Sequence, residues 1–325
     1  MSKKTWISFV VSVAFIVLGM GLGRGPVFQG FQASAQNVLT GDWTASLSDA
    51  RSKAGRNETA TQKTPDPNKI HLNFERRSDK GGHNQMGQSY DFTDLQGLTR
   101  EQALSGGSVQ FSLIREAGRI DCVGSFQNGN GSGTFRFTGN QSFAAAMKSR
   151  GFDFESDTNS RDENSLDDRL FAATTLNVTT ALADDLLSAG FGKLRVDDLF
   201  KAAIFKIDGN FMREMKASGF ADLGMEELVK ARIFKIDADF VRQVSQMGFD
   251  KEPFESLVKM RIFKVSPEFI TEVRNEGLTK TSVEDLVKLR IFKIDSEFIR
   301  KAKADGVPLE VERLVQRRIG VARMN

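Results

Sequence analysis

The residues that carry charge and recur at a fixed spacing in this chain are lysines and arginines. They return every 29 residues through the second half of the 325-residue sequence. The set is Lys206, Lys235, Lys264 and Lys293, together with Arg232, Arg261 and Arg290. One interpretation is a cationic ladder for an acidic protein, a polyanion or an anionic envelope polymer. The alternative is that they are charges at helix C-termini, each balanced by an acid one turn earlier.

Residues that support catalysis or metal binding are few and scattered. His71 and His83 are the only histidines, and Cys122 is the only cysteine. The sequence has no HExxH, CxxC, GxSxG or GxxxxGK motif, so a zinc site, a nucleophilic serine or a phosphate loop has no support. A carboxylate pair of the glycosidase type stays open among the 42 acidic residues. We therefore expect no cofactor, no metal site and no enzyme activity, with Cys122 as a small buried side chain.

One acidic segment, from Asp157 to Glu163, has some features of a calcium-binding loop. It lacks the central glycine of such loops, and Arg161 stands where a ligand oxygen is required. We interpret it as part of a solvated insertion, from Glu155 to Asn164, between two helices.

The basic residues belong to a repeated pair of helices. Full units begin at Ile204, Ile233 and Ile262, and degraded copies begin near Thr175 and at Ile291. In each unit a short polar residue precedes an inward phenylalanine by three positions, and a glycine follows about eight positions later. This spacing predicts a first helix of about ten residues with an N-cap and a left-handed glycine at its end. The predicted caps are Thr179, Asp208, Asp237, Ser266 and Asp295; the phenylalanines are Phe211, Phe240, Phe269 and Phe298; the glycines are Gly190, Gly219, Gly248, Gly277 and Gly306.

The second helix of each unit is predicted to start near Leu223, Glu252 and Thr281. Pro253 suits a first helical position, and Thr281 with Glu284 matches a capping box. The side chains predicted to form the apolar core are Leu228, Leu257, Leu286, Val229, Val258, Val287, Ile233, Ile262, Ile291, Ile207, Ile236, Val265 and Ile294. The pairs predicted at i,i+4 are Asp197–Lys201, Glu226–Lys230, Glu255–Lys259 and Glu284–Lys288.

A related pair of helices stands upstream, with Asn140 and Phe143 in its first helix and Leu170 in its second. A pair of short helices cannot bury its own apolar face, so neighbouring pairs must stack. We predict an α+β chain: a small antiparallel β domain at 36–138, then an α-helical repeat array of about six helix pairs with a 29-residue period at 139–325.

The β domain is predicted from strict alternation of apolar and polar residues, which indicates a sheet with one buried face. We expect five or six strands, joined by turns at Glu116–Gly118 and Asn128–Gly131. Thr99 and Gln102 form a capping box for one short helix. The predicted inward residues are Ile70, Leu72, Phe74, Val109, Phe111, Leu113, Ile120, Cys122, Phe126, Phe135 and Phe137.

The first 35 residues predict export. Lys3 and Lys4 precede an apolar run at 6–22, and Ala33-Ser34-Ala35 offers a cleavage site. Both a cleaved signal peptide and an uncleaved anchor stay open, and each places the remainder in the periplasm or outside the cell. With a net charge of only +3, we expect no nucleic acid partner and membrane contact only through such an anchor.

The chain resembles a group of exported bacterial proteins, and also the extracytoplasmic tail of BlaR1-type (M56 family) membrane metallopeptidases. The resemblance lies in Gly131 to Phe137, which leads into Asn140 and Phe143, and in the repeat start from Ile262 to Phe269. The family's zinc motif and membrane helices are missing, so no catalytic residue is carried over. The resemblance implies a sensing or docking role.

These features favour a non-enzymatic scaffold that binds a protein or an envelope polymer through the repeat surface or through the junction between the β domain and the helices. The candidate surface is the set of basic residues Lys206, Arg232, Lys235, Arg261, Lys264, Arg290 and Lys293. One alternative is an envelope hydrolase with paired carboxylates. Another is a small-ligand sensor with a pocket lined by Phe111, Phe126 and Phe135.

Overall fold

The computed structural model describes residues 39–47, 66–77, 83–155, 166–190 and 192–320. The predicted leader, the calcium-like segment 157–163 and most of the polar loop near 51–68 lie outside these ranges. The described residues belong to one compact unit, Asn37–Asn325, which combines a seven-stranded antiparallel sheet with a helical array. Among them, no helix is long and apolar enough to cross a membrane. The predicted α+β class is confirmed.

The sheet contains seven strands in the order β3-β2-β1-β7-β6-β5-β4, and every neighbouring pair is antiparallel. The expected number of five or six was too low, because the two residues of β4 are too few to show alternation. The strands are β1 (Leu39–Leu47), β2 (Lys69–Arg77), β3 (His83–Asp91), β4 (Leu95–Gln96), β5 (Gly107–Arg115), β6 (Gly118–Gln127) and β7 (Asn130–Gly139).

Alternation along the strands places one set of side chains in the core. Ile70, Leu72 and Phe74 of β2 are buried, while the polar residues between them are only half-buried. Short turns join β5 to β6 and β6 to β7, as predicted. The short helix α1 (Arg100–Ser105) starts with the predicted capping box of Thr99 and Gln102.

A helix from the first repeat pair covers the buried face of the sheet. Helix α3 (Leu166–Leu176) contacts β3, β5, β6 and β7. The Phe171 ring stacks on Phe135 with centroids 5.3 Å apart and meets Phe74 and Phe137 edge-on. The sheet therefore depends on the first helix pair for its core. The predicted division at residue 138 stays a prediction.

Among the described residues, twelve helices follow the sheet as six pairs, in agreement with the predicted number. The first helices are α2 (Gln141–Ser149), α4 (Thr180–Ser188), α6 (Gly209–Ala217), α8 (Ala238–Gln246), α10 (Pro267–Asn275) and α12 (Ser296–Ala304). The second helices are α3, α5 (Val196–Phe205), α7 (Met225–Phe234), α9 (Phe254–Ile262), α11 (Val283–Ile291) and α13 (Val311–Arg318).

Each second helix contacts the second helix of the next pair, from α3 through to α13. First helices also contact one another, as α4 does with α6 and α10 with α12. The core of the array runs between these helices, and Leu228, Leu257 and Leu286 are all buried within it. Neighbouring units thus bury together the apolar faces that no pair covers alone.

The predicted ends of the first helices are confirmed. Asp208 is an N-cap whose side chain accepts a hydrogen bond from the Phe211 backbone N–H at 2.8 Å. Gly219 lies just beyond the end of the same helix with a φ of 98°, a conformation that costs glycine little. The same roles recur at the caps Thr179, Asp237, Ser266 and Asp295, and at the glycines Gly190, Gly248, Gly277 and Gly306.

The second helices start one or two residues later than predicted. Pro253 is the N-cap of α9, not its first helical residue. The capping box of α11 is Ser282 with Asp285, one position beyond the predicted Thr281 and Glu284. The two boxes overlap in the sequence, so spacing alone does not choose between them.

Candidate interaction surface on the helical array

The arginine column, which consists of Arg232, Arg261 and Arg290, makes its contacts with other residues of the array, although Arg261 is itself exposed. The Arg261 guanidinium lies 3.7 Å from the centroid of the Phe240 ring. It also donates a hydrogen bond of 2.7 Å to the backbone carbonyl of Lys235 in the turn before α8. Arg232 and Arg290 make the equivalent contacts, with Phe211 and Lys206 and with Phe269 and Lys264 respectively. These three arginines therefore hold the second helices α7, α9 and α11 to the turn and first helix before each of them.

The lysine column, which consists of Lys206, Lys235, Lys264 and Lys293, occupies the turn after each second helix. All four lysines are exposed and have positive φ angles between 51° and 54°. Their backbone follows the C-terminal pattern in which the next residue donates back into the helix, as Ile236 does to Ala231 at 2.8 Å. Among the described residues, no hydrogen bond or ion pair uses the Nζ atom of any of them.

A lysine is an unfavourable residue for this turn, because a left-handed backbone costs a residue with a Cβ atom about 1–2 kcal/mol. The two ends of the array hold residues that adopt this conformation more readily. Asn177 has the position in the first turn, with a φ of 56°, and Gly320 has it in the last, with a φ of 76°. The four inner turns keep lysine where asparagine or glycine would be more stable.

An isoleucine column lies beside the lysines, and here the sequence prediction was wrong. Ile233, Ile262 and Ile291 were expected in the core, yet they are 54%, 48% and 50% exposed, and Ile204 is 54% exposed. The chain leaves the helix within two residues, and the core position passes to the residue after the lysine. Ile207, Ile236, Val265 and Ile294 are accordingly buried.

We call these eight exposed residues the Ile–Lys ladder: Ile204, Ile233, Ile262 and Ile291 with Lys206, Lys235, Lys264 and Lys293. Each unit supplies the tripeptide Ile-Phe-Lys without change. Several other exposed positions differ from unit to unit, although Glu226, Glu255 and Glu284 are also exposed and constant. The series Glu214, Gln243, Glu272 and Lys301 is one example, and Ala217, Gln246, Asn275 and Ala304 is another.

The acid–base pairs also differ from the prediction, because they join neighbouring units. Lys230 does not bind Glu226 in its own helix but Glu255 in the next second helix, at 2.6 Å. Each lysine meets the acid that the next second helix brings alongside it, which local spacing cannot show. The remaining pairs are Lys201–Glu226, Lys259–Glu284 and Lys288–Glu312.

The pairing perturbs both partners in a consistent direction. The hydrogen bond from Lys201 holds the pKa of Glu226 below its usual value. The same bond raises the pKa of Lys201. These pairs lie at the surface, where solvent screens them and their contribution to folding is small. They also change the surface charge, because the carboxylates of Glu226, Glu255, Glu284 and Glu312 are already paired with lysines.

Residues considered for catalysis do not form a cluster. Cys122 is buried in β6 as predicted, and burial raises the pKa of its thiol. His71 lies on β2 with its Nδ1 atom 3.4 Å from the Ser89 hydroxyl. Asp121 accepts hydrogen bonds from Ser112 and Arg119 on the outer face of the sheet. Within the described ranges, no group of three or more histidine, cysteine or acidic residues is placed to hold a metal ion.

The three phenylalanines of the proposed ligand pocket are packed in the core of the sheet. The Trp43 ring lies 5.1 Å from Phe111 and 5.6 Å from Phe126. Phe135 is stacked on Phe171, and all three phenylalanines are almost fully buried.

A groove of about 680 Å³ lies elsewhere, between the ends of α6 and α8. It is lined by both apolar and charged side chains, including Phe220, Val241, Arg242 and Lys251. No residue of the Ile–Lys ladder lines it.

The sequence contains a signal for the ladder, but the helical periodicity of the repeats assigned the ladder isoleucines to the core. Four units contain the identical tripeptide, whereas the equivalent turns at the two ends contain Asn177 and Gly320. This contrast indicates that lysine is retained in the four inner turns against its backbone preference. In comparisons with known proteins, no family model, curated protein or solved structure matched the chain. The resemblance to the tail of BlaR1-type proteins therefore stays a prediction.

Proposed function

We propose that this chain is a non-enzymatic extracytoplasmic interaction module that binds a protein or a component of the cell envelope along its helical array. In this proposal it acts as a scaffold in envelope signalling. The observation that supports it is the Ile–Lys ladder, whose side chains are constant and exposed. The arginine column, although equally basic, is already occupied by contacts within the array.

The ladder suits an extended partner. Stacked helices lie about 8–10 Å apart, so the three intervals from Ile204 to Ile291 span roughly 25–30 Å. Each step repeats one apolar and one cationic group. Apolar side chains that are exposed in a contiguous row are typical of interaction sites, and isolated ones are not.

A photo-crosslinking amino acid placed at Ile233 or Ile262 in the full chain, in its native host, tests the proposal. We expect covalent adducts from these two positions. Gln243 and Gln246 serve as controls, because they are exposed on the first helix of the same array. Adducts from all four positions alike, or from none, would contradict a role for the ladder.

A further inference from the structure

We propose that the Ile–Lys ladder is a contact surface for an anionic lipid membrane. This inference rests on the proposed function and specifies the envelope component that the array binds. Such a membrane presents anionic phosphate groups next to apolar acyl chains.

The isoleucines supply the apolar part of the contact. Each one stands in the last turn of a second helix, at the edge where the chain turns back into the next first helix. About half of each side chain reaches solvent. Side chains of this kind, repeated along one edge, can enter the boundary between lipid headgroups and acyl chains.

The lysines supply positive charge that no ion pair among the described residues occupies. Glu226, Glu255, Glu284 and Glu312 are held by other lysines, through the ion pairs between units. The nearest acids along the chain are the N-cap residues Asp208, Asp237 and Asp295, whose carboxylates accept hydrogen bonds from backbone N–H groups. In the third turn the N-cap is Ser266, which carries no charge.

A lysine with a long apolar stem can keep its ammonium at the phosphate level while an adjacent isoleucine lies deeper. The total charge of +3 does not reveal this local row, and for that reason the sequence predicted membrane contact only through an anchor.

The shape of the surface favours a membrane over an acidic peptide. A peptide gains specificity from pockets that receive its side chains. The groove between α6 and α8 described above contains no ladder residue. The ladder instead presents its own side chains outward, and a fluid lipid interface can receive them without a preformed pocket.

Co-sedimentation with lipid vesicles tests the inference. The material is the compact unit Asn37–Asn325, because an apolar segment at 6–22 would bind vesicles by itself. We expect sedimentation with phosphatidylcholine vesicles that contain about one third phosphatidylglycerol, little with pure phosphatidylcholine, and weakening by salt.

Two ladder variants and one control identify the surface. The first variant changes the four ladder lysines to Asn, and the second changes the four ladder isoleucines to Ser. Each is expected to lower vesicle partitioning by about tenfold or more. The control changes Lys216, Lys280, Lys301 and Lys303 to Asn, which removes the same charge from exposed sites off the ladder. It should bind nearly as the parent unit does, and circular dichroism should show that all variants are folded.

A soluble polyphosphate provides the comparison with a free anion. If the isoleucine variant and the parent unit bind polyphosphate equally well and also bind vesicles equally well, the ladder recognises phosphate alone. In that case the lipid inference fails. If vesicles are not bound but crosslinks from Ile233 and Ile262 reach a protein, the lipid inference fails while the proposed function stands. Loss of both vesicle binding and crosslinks overturns both.

Discussion

Two sets of basic residues in the helical array share one period and have opposite surroundings. The arginine column binds a phenylalanine ring and a backbone carbonyl of the preceding turn and first helix. The lysine column stands only a few residues further along the chain, exposed and in a strained turn. Repetition alone therefore does not show which of these residues the fold uses. The contacts of each column do show it.

The largest effect should come from the core that both columns border. Replacing the buried Leu257 by Ala removes most of a core side chain and should lower the free energy of unfolding by about 2–5 kcal/mol. Ile262→Ala, in the same helix but 48% exposed, should stay within about 0.5 kcal/mol of the parent. Urea unfolding of the two variants checks this. Equal losses in the free energy of unfolding would show that the isoleucine column belongs to the core.

The arginine column should matter to stability by an intermediate amount. Arg261→Ala loses the contact with Phe240 and the hydrogen bond to Lys235, at an expected cost of about 1–2 kcal/mol. Arg261→Lys should recover little of it, because an ammonium does not reproduce the planar guanidinium over the ring.

The matched control for this comparison is Arg242→Ala. Arg242 is exposed and pairs only with Asp239 among the described residues. Its loss should change the free energy of unfolding by less than about 0.5 kcal/mol. Similar losses at Arg261 and Arg242 would show that the column does not hold the units together.

The sequence predicted the local features of this fold well. The caps Asp208 and Ser266 follow from hydrogen bonds within three residues, so their spacing identifies them. The core of β2 follows in the same way from alternation.

Features that depend on the neighbouring unit were predicted incorrectly. Lys230 was assigned to Glu226, because spacing within a helix does not reveal that Glu255 of the next unit lies closer. Ile233 was placed in the core, because the apolar stripe was extended into the last turn of α7, where this side chain is 54% exposed.

Single substitutions in the lysine column should stabilise the fold slightly. Lys235→Asn relieves part of the left-handed strain and should raise the free energy of unfolding by about 0.5 kcal/mol. Lys235→Gly should gain about as much, since a strain relief of about 1–2 kcal/mol is offset by glycine's larger unfolded-state entropy of about 0.5–1 kcal/mol. Thermal unfolding of both variants measures the change, and a loss in both would mean that the lysine side chain supports the turn.

The ion pairs between units should give the smallest effect. Glu226→Gln should cost less than about 1 kcal/mol near neutral pH, because the pair is exposed. The lowered pKa of Glu226 means that its contribution is present above the ordinary carboxyl pKa and is lost as pH falls through the lowered value.

For Lys201 the sign is the reverse, since its raised pKa makes its contribution disappear only as pH rises through that raised value. Urea unfolding of the parent and of Glu226→Gln should therefore converge on acidification. A constant difference down to about pH 2 would show that the pair does not act through charge.

The central claim is that the fold does not need the lysines of the ladder and that they are kept for a partner. Its most direct test is equilibrium unfolding by guanidinium of the variant in which Lys206, Lys235, Lys264 and Lys293 are all changed to Asn. The backbone carbonyls that bind the arginine column remain in this variant, so the midpoint should equal or exceed that of the parent. A clearly lower midpoint would show that the lysines serve the fold, and would contradict the claim.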